Sequence, residues 1–229
     1  MQARIRVVHD DGDIQIDQDY SNYLFASKVT VTTDTSFGSQ GASYKDIVVT
    51  SATRPVLALQ SFTEPATYTL VSVSGSTWTF RVWVGPTGTV YDTTGLSVTV
   101  YIFDIHLPIS GLPGIRVFDS SGNLKFDSGH KPMRVLSMLV NPSGNPIYSG
   151  SGQVAFLPAR AGGRAEVYGI PGQTSVYNAY FFDACKSSSS SSVSKSAILY
   201  YFGDAYQGGT TGPLYSCPSD WIIIDVSNY

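Results

Sequence analysis

The amino-acid sequence predicts an all-β protein of two tandem β-sandwich-like modules related by internal duplication. Several segments alternate apolar and polar residues with the period of two that half-buried strands show. No segment carries the apolar stripe at i, i+3, i+4 and i+7 that marks an amphipathic helix. A hairpin-like segment occurs twice, at residues 4–17 and at residues 114–128. The first two observations predict the fold class, and the third predicts the duplication.

The hairpin-like segment repeats without a gap, at a constant shift of 110 positions. Ile5 matches Ile115, Asp17 matches Asp127, and Arg, Val and Gly recur between them. Four further pairs are replacements in kind: Val8/Phe118, Asp13/Asn123, Ile14/Leu124 and Ile16/Phe126. A constant shift along a whole hairpin is what a duplicated module would leave in a sequence.

Both copies of the hairpin close with turns of the same chemistry. Gly12 follows two aspartates in the first copy, and Asp119 and Gly122 stand at the matching places in the second. This spacing fits a type I turn that ends in a glycine at positive φ. The Asp119 side chain can accept hydrogen bonds from backbone amides of its own turn. We interpret Gly12, Asp119 and Gly122 as residues that specify the fold, not as a site.

Further strands and loops follow from the local pattern. Strands are predicted at residues 20–31, 47–49, 56–59, 77–84, 96–103, 133–140, 176–183, 197–202 and 221–226. Residues 158–175 are rich in glycine and predict a long surface loop. The serine run at residues 187–192 predicts a mobile loop, because serines bury too little apolar surface to become ordered.

The segment 107–113 is the predicted linker between the modules. It contains two prolines and a glycine, with another glycine directly after it, and these residues interrupt regular strand pairing. The predicted domains are therefore an N-terminal β module at residues 1–106 and a C-terminal β module at residues 114–229, which holds the serine-rich loop. The modules also end alike, since residues 100–104 resemble residues 222–225.

Composition excludes several classes of partner. Charged residues make up 14% of the chain and the formal net charge is -3, so we expect no nucleic-acid partner. No run approaches the roughly 18 apolar residues of a spanning helix, so no membrane insertion is expected. The N-terminus lacks the apolar core of a signal peptide, which predicts synthesis and folding in the cytoplasm.

No catalytic or metal motif is present, and no cofactor is expected. The sequence has no nucleophile elbow, P-loop or dinucleotide fingerprint. The histidines, at positions 9, 106 and 130, have no zinc-like spacing to one another or to a cysteine. Residues 9–13 resemble the start of a calcium loop but lack the remaining ligands and the closing glutamate. Cys185 and Cys217 are interpreted as buried free thiols, and the sequence leaves open whether they form a disulfide.

A Tyr-rich segment near the C-terminus is the candidate contact surface. It contains Tyr200, Tyr201, Phe202 and Tyr206. Tyrosine offers a large, rigid contact area together with hydrogen bonding, as binding loops require. The alternative is that these aromatic side chains fill the core of a β-sandwich.

The second hairpin also supplies a family resemblance. Residues 114–119, 122–124 and 126–128, followed by 131–136, resemble a "GLxVYNxxGxxxFDS"-like hairpin of poorly characterised tail proteins of tailed bacteriophages. The likeness covers about residues 114–136 and is fainter at residues 4–17, where the copy begins Arg-Ile-Arg and has no Gly-Leu opening.

The resemblance implies a non-enzymatic virion protein of the tail tip or baseplate, assembled in the host cytoplasm. Its partners would be other tail proteins and copies of itself. The alternative is a tail tip or fibre protein that binds a host receptor or surface glycan. A third hypothesis is a polysaccharide hydrolase, which would need a pair of carboxylates in one cleft. No spacing in the sequence points to such a pair.

Overall fold

The computed structural model describes residues 4–9, 12–17, 22–36, 42–85, 94–105, 107–169, 175–207 and 212–229. Within these ranges, the side chains of residues 4–9, 12–17, 164, 166, 168–169, 175–178, 200–207 and 212–215 lie outside the description. The all-β prediction is confirmed, because the described residues form strands and turns and contain no helix. His106 falls outside the described residues.

Each half of the chain begins with a hairpin and continues with longer strands. The strands of the N-terminal half are β1 (Arg4–His9), β2 (Gly12–Asp17), β3 (Leu24–Thr32), β4 (Thr35–Ser36), β5 (Ser43–Val49), β6 (Val56–Gln60), β7 (Ala66–Ser74), β8 (Thr77–Val84) and β9 (Ser97–Asp104). Those of the C-terminal half are β10 (Arg116–Phe118), β11 (Leu124–Asp127), β12 (Arg134–Val140), β13 (Tyr148–Ser149), β14 (Val154–Arg160), β15 (Gly163–Gly169), β16 (Ser175–Ser189), β17 (Ser192–Gln207), β18 (Gly212–Cys217) and β19 (Asp220–Asp225).

Two large antiparallel sheets form the body of the molecule. One has six strands in the order β12-β19-β14-β6-β9-β3. The other has the order β13-β17-β16-β7-β8-β5-β4. β15 also pairs with β16 in this sheet, and β18 pairs with β15. The hairpins β1-β2 and β10-β11 are separate two-stranded sheets.

The strand order is the same in the two halves. In the six-stranded sheet, β3-β9-β6 corresponds to β12-β19-β14, and in the other sheet β5-β8-β7 corresponds to β13-β17-β16. The halves meet where β6 pairs with β14 and where β7 pairs with β16. Both large sheets therefore pass through both halves. Duplication of the sequence, and a domain division at residues 107–113, stay predictions.

The main core lies between the two large sheets and draws on both halves. Its members include Leu57, Leu59, Phe80, Val82, Val98, Val100, Val154, Phe156, Cys185, Trp221 and Ile223. A second apolar cluster covers the other face of the six-stranded sheet and includes Ala58, Tyr101, Phe103, Ala155, Leu157 and Ile224. The alternation predicted for β9 accounts for this arrangement, because neighbouring residues of one strand enter opposite clusters.

The prediction of a long loop at residues 158–175 is wrong in its described part. β14 continues to Arg160, and β15 occupies residues 163–169. The glycine at position 163 permits close strand packing, since a Cβ there would lie 2.5 Å from the Phe181 carbonyl oxygen. Glycine at this place reflects strand packing, not a loop.

The prediction of a mobile serine loop at residues 187–192 is also wrong. β16 runs to Ser189 and β17 starts at Ser192, so the serines form the end of a long hairpin. Ser187 is buried, and its amide donates to the Ser61 carbonyl at 2.7 Å. Backbone hydrogen bonds order this segment, although its serines bury little apolar surface.

Candidate functional site

The turn of the β10-β11 hairpin is built by Asp119 and Gly122. The Asp119 carboxylate accepts the backbone amides of Ser121 and Asn123 at 2.9 and 2.8 Å. The Asn123 side-chain amide donates to the same carboxylate at 2.8 Å. This hydrogen bond is the main reason why the pKa of Asp119 lies below its usual value. Gly122 has φ of +83°. These contacts serve the turn itself and leave Asp119 no evident chemical task.

The first hairpin is described only in its backbone. β1 and β2 are antiparallel, and His9 lies opposite Gly12 at their closed end. Residues 10–11, which would complete both the predicted turn and the calcium-like sequence, lie outside the described residues.

A buried carboxylate ties the second hairpin to the segment before it. Asp127, at the end of β11, is fully buried. Its oxygens accept the Ser110 amide at 2.9 Å, the Gly129 amide at 2.9 Å and the Arg116 Nε at 3.2 Å. Burial alone would raise the pKa of Asp127, but these hydrogen bonds hold it well below the usual range. The segment from Ser110 to Gly129 is thereby held in one arrangement.

This anchored segment and the residue before it expose apolar side chains. Ile109, Leu112, Ile115 and Phe118 are large hydrophobic residues that all lie open to solvent. Such side chains are ordinary when scattered singly, but several in one short segment mark a contact surface. The hairpin that carries the family resemblance is therefore also a candidate docking element.

The free edge of the six-stranded sheet is a second candidate surface. Directly before β12, Pro132 forms a β-bridge with Leu24 at the start of β3. Along residues 135–140, β12 pairs with β19, and the described structure gives their other side no backbone partner. Val135, Met138 and Val140 on this strand are 50%, 64% and 69% exposed. They lie opposite Ile224, Ile222 and Asp220 of β19 and so share one face of the sheet. An exposed apolar edge of this kind is a template for pairing with another chain.

A polar cleft of about 590 Å³ lies near the end of β12. It is lined by Asn141, Pro142, Gly144, Asp183, Lys195, Ser196, Ala197, Ser216, Cys217 and Pro218. The Asp183 carboxylate accepts the Ser219 hydroxyl at 2.7 Å and lies 3.2 Å from the Lys195 ammonium. Asp183 is the one carboxylate of this lining, whereas a glycoside hydrolase needs two. The cleft offers hydroxyl, amide and ammonium groups suited to binding a polar molecule.

The predicted cysteine and histidine positions serve no common site in the described structure. Cys185 is buried, and burial raises the pKa of its thiol well above the usual value. Cys217 is exposed, so the expectation of two buried thiols is wrong for it, and both cysteines are free. The ring Nε2 of His130 lies 2.7 Å from the Pro108 carbonyl oxygen. No group of three His, Cys, Asp or Glu that could hold a metal ion occurs in the described ranges.

The Tyr-rich segment lies on β17, next to β16. Tyr201, Phe202 and Tyr206 are opposite Tyr180, Ala179 and Val176 in the ladder. The side chains of residues 200–207 lie outside the description, so both interpretations of Tyr200, Tyr201, Phe202 and Tyr206 stay predictions.

The exposed edge at β12 was missed at the level of sequence. The run Val-Leu-Ser-Met-Leu-Val at residues 135–140 was interpreted only as a strand. This run has apolar residues on both faces of the strand, and that pattern could have revealed the exposed edge. This pattern indicates either a strand buried on both sides or a strand that binds a partner.

Comparison with known proteins adds no relative. No protein-family model, no curated protein and no solved structure matches the chain significantly. In the part of the chain that the structure describes, no helix has the length and apolarity needed to cross a membrane.

Proposed function

We propose that the chain is a non-enzymatic structural component of a bacteriophage tail tip or baseplate that assembles through its β-sheet surfaces. The observation that carries this proposal is the β10-β11 hairpin. The segment that resembles tail proteins is fixed by the buried Asp127 and exposes Ile115 and Phe118. A rigid element with exposed apolar side chains can dock without ordering a flexible segment.

Low charge supports the same role. With 14% charged residues, the chain has few of the like-charge repulsions that keep soluble proteins apart. Components with such surfaces commonly form symmetric assemblies. The proposed partners are neighbouring tail proteins and copies of the chain itself, within a virion assembled in the host cytoplasm.

Mutation of the docking element tests the proposal. The double variant Ile115→Ser with Phe118→Ser removes apolar surface from exposed positions and leaves Asp119, Gly122 and Asp127 in place. We expect a folded protein, judged by its circular dichroism, that is lost from purified phage particles. The control is Val48→Ser, which changes an exposed apolar residue on β5 of the nine-stranded sheet. Equal incorporation of wild type and double variant would contradict docking through the hairpin.

A receptor- or glycan-binding role is the second candidate, and the polar cleft favours it. Hydroxyl and amide groups such as those of Ser196 and Asn141 can donate to and accept from sugar hydroxyls. If the Tyr-rich segment also contacts the host, replacing Tyr200, Tyr201 and Tyr206 by Ala should abolish adsorption while particle assembly stays normal. Normal adsorption by those particles would remove the Tyr-rich segment from this role.

A further inference from the structure

The two edge strands of the six-stranded sheet occupy equivalent places but have opposite surface chemistry. β3 and β12 each have a register irregularity near the start, between Phe25 and Ser27 and between Val135 and Ser137. These positions are 110 residues apart, the same shift as in the repeated hairpin. Equivalent positions along the two strands can therefore be compared one by one.

β3 carries a charge where β12 is apolar. Lys28 of β3 is equivalent to Met138 of β12, and Thr30 is equivalent to Val140. The Lys28 ammonium lies 4.9 Å from the centre of the Tyr101 ring, on the outer face of the sheet. A lysine on an edge strand is a common device against pairing with another chain. The chain protects one edge in this way and leaves the other without a charge from residue 135 to residue 140.

We propose that β12 pairs antiparallel with β12 of a second copy of this chain, about a two-fold axis near Met138. This inference rests on the proposed function in that it names the surface through which copies of the chain assemble. Pairing about this axis places Met138 beside Met138 of the second copy. It also brings Val140 of each copy towards the Val135 end of the other strand. In the same step, the backbone groups of residues 135–140 that have no described partner pair with those of the second copy.

A second copy suits this edge because the strand is complementary to itself. β12 has no charge from residue 135 to residue 140, so two copies of this stretch can meet without like-charge repulsion, whereas two copies of β3 would bring two Lys28 side chains together. The fold already joins equivalent strands in this manner, since β6 of one half pairs antiparallel with β14 of the other. A two-fold contact between identical edges also closes on itself and leaves no free β12 edge to extend into a fibre.

The test is the solution mass of the full chain. Light scattering coupled to gel filtration, at several protein concentrations, should give twice the chain mass of 24.6 kDa for the wild type. Met138→Lys introduces the residue that β3 has at the equivalent place, and should halve the mass without changing the circular dichroism spectrum. The matched control is Thr30→Lys on β3, which should keep the doubled mass. A wild-type monomer, or a dimer that persists in Met138→Lys, would overturn the proposal.

A cross-link tests the position of the axis independently. In a Cys217→Ser background, Met138→Cys should give a disulfide-linked dimer on mild oxidation, because two thiols near a two-fold axis are within bonding reach. Lys28→Cys in the same background should stay monomeric on a denaturing gel. A dimer from Lys28→Cys, with none from Met138→Cys, would place the contact on the other edge and overturn the proposal.

The two proposals fail in different ways. A chain that dimerises through Met138 but is absent from phage particles contradicts the tail function and supports the edge contact. A chain that is present in particles, with a mass that Met138→Lys does not alter, supports the tail function and contradicts the edge contact.

Discussion

Asp127 shows how one buried carboxylate can hold an exposed element in place. Its side chain accepts from the Ser110 and Gly129 amides and from Arg116, and so joins the start, the middle and the end of one segment. Charge-assisted hydrogen bonds of this kind are about twice as strong as neutral ones. The sequence showed Asp127 only as a matching position in the repeated hairpin. Its partners lie up to 17 positions away, and local patterns do not contain them.

The stability of the chain should therefore depend on pH through Asp127. An aspartate of the unfolded chain has a pKa of about 3.9. Because the folded pKa is lower, the carboxylate stabilises the fold above about pH 4, and this contribution is lost as the pH falls through the folded pKa. Thermal unfolding should be measured from neutral to acid pH. At neutral pH, Asp127→Asn should have a lower melting temperature than the wild type, and its melting temperature should fall less than that of the wild type on acidification.

Asp46→Asn provides the comparison for that series. Asp46 accepts from the Arg81 guanidinium at 2.7 Å, but this pair lies at the exposed surface of the nine-stranded sheet. Exposed pairs contribute about 0–1 kcal/mol, so its effect should be small. Equal effects of the two substitutions would contradict the anchoring role of Asp127.

Gly122 should tolerate substitution poorly, although its surroundings are open. At φ of +83° an added Cβ would meet no atom within 4 Å, so the cost is one of backbone conformation alone. Gly122→Ala should lower the free energy of unfolding by about 1–2 kcal/mol, measured by chemical denaturation. Gly111→Ala is the control, because Gly111 is equally open and has no positive φ. A neutral Gly122→Ala would contradict the turn geometry.

At the scale of single elements, strands with strict alternation could be predicted and strands held by backbone pairing could not. In β8 and β9, alternate residues such as Val82 and Val100 enter the main core, and this period of two is visible in the sequence. The serine-rich ends of β16 and β17 have no such pattern, since their order comes from the ladder that they form with each other. The exposed row on β12 was missed for a related reason. An apolar residue that binds a partner has the same sequence signal as one that fills a core.

The serine-rich hairpin should be protected from hydrogen exchange. The Ser187 amide donates to Ser61 at 2.7 Å, and Ser187 pairs with Val193 in the ladder. We expect this amide to exchange far more slowly than an unstructured serine, as measured by exchange followed by mass spectrometry. Amides of the irregular segment 107–114 serve as the reference, apart from the Ser110 amide, which donates to Asp127. Exchange of Ser187 at the rate of an open chain would show that the segment is a mobile loop after all.

At the scale of the molecule, the two halves share their sheets and their core. Leu57 and Phe80 of the N-terminal half lie in one cluster with Phe156 and Trp221 of the C-terminal half. The repeated hairpin indicated two similar halves, but not where they meet, because the pairing of β6 with β14 joins positions almost a hundred residues apart. Contacts at that separation leave no trace in a local pattern of residues.

Neither half should fold well alone. Separation would expose the inner edges of β6, β7, β14 and β16 and one side of the shared core. Each large side chain returned to water costs about 1.5–3 kcal/mol, which is a large fraction of the usual stability of a domain. Residues 1–106 and 107–229, expressed separately, should show no cooperative thermal transition, and co-expression should restore it. Two separate, cooperative transitions would show that the halves are independent domains.

The proposed function makes this chain a structural part of a phage tail. The most direct measurement is mass spectrometry and cryo-electron microscopy of purified particles produced by the genome that encodes the chain. We expect the chain in a fixed number of copies per particle, in density at the tail tip or baseplate. A chain that is made during infection but stays a soluble, partner-free monomer, absent from the particles, would contradict it.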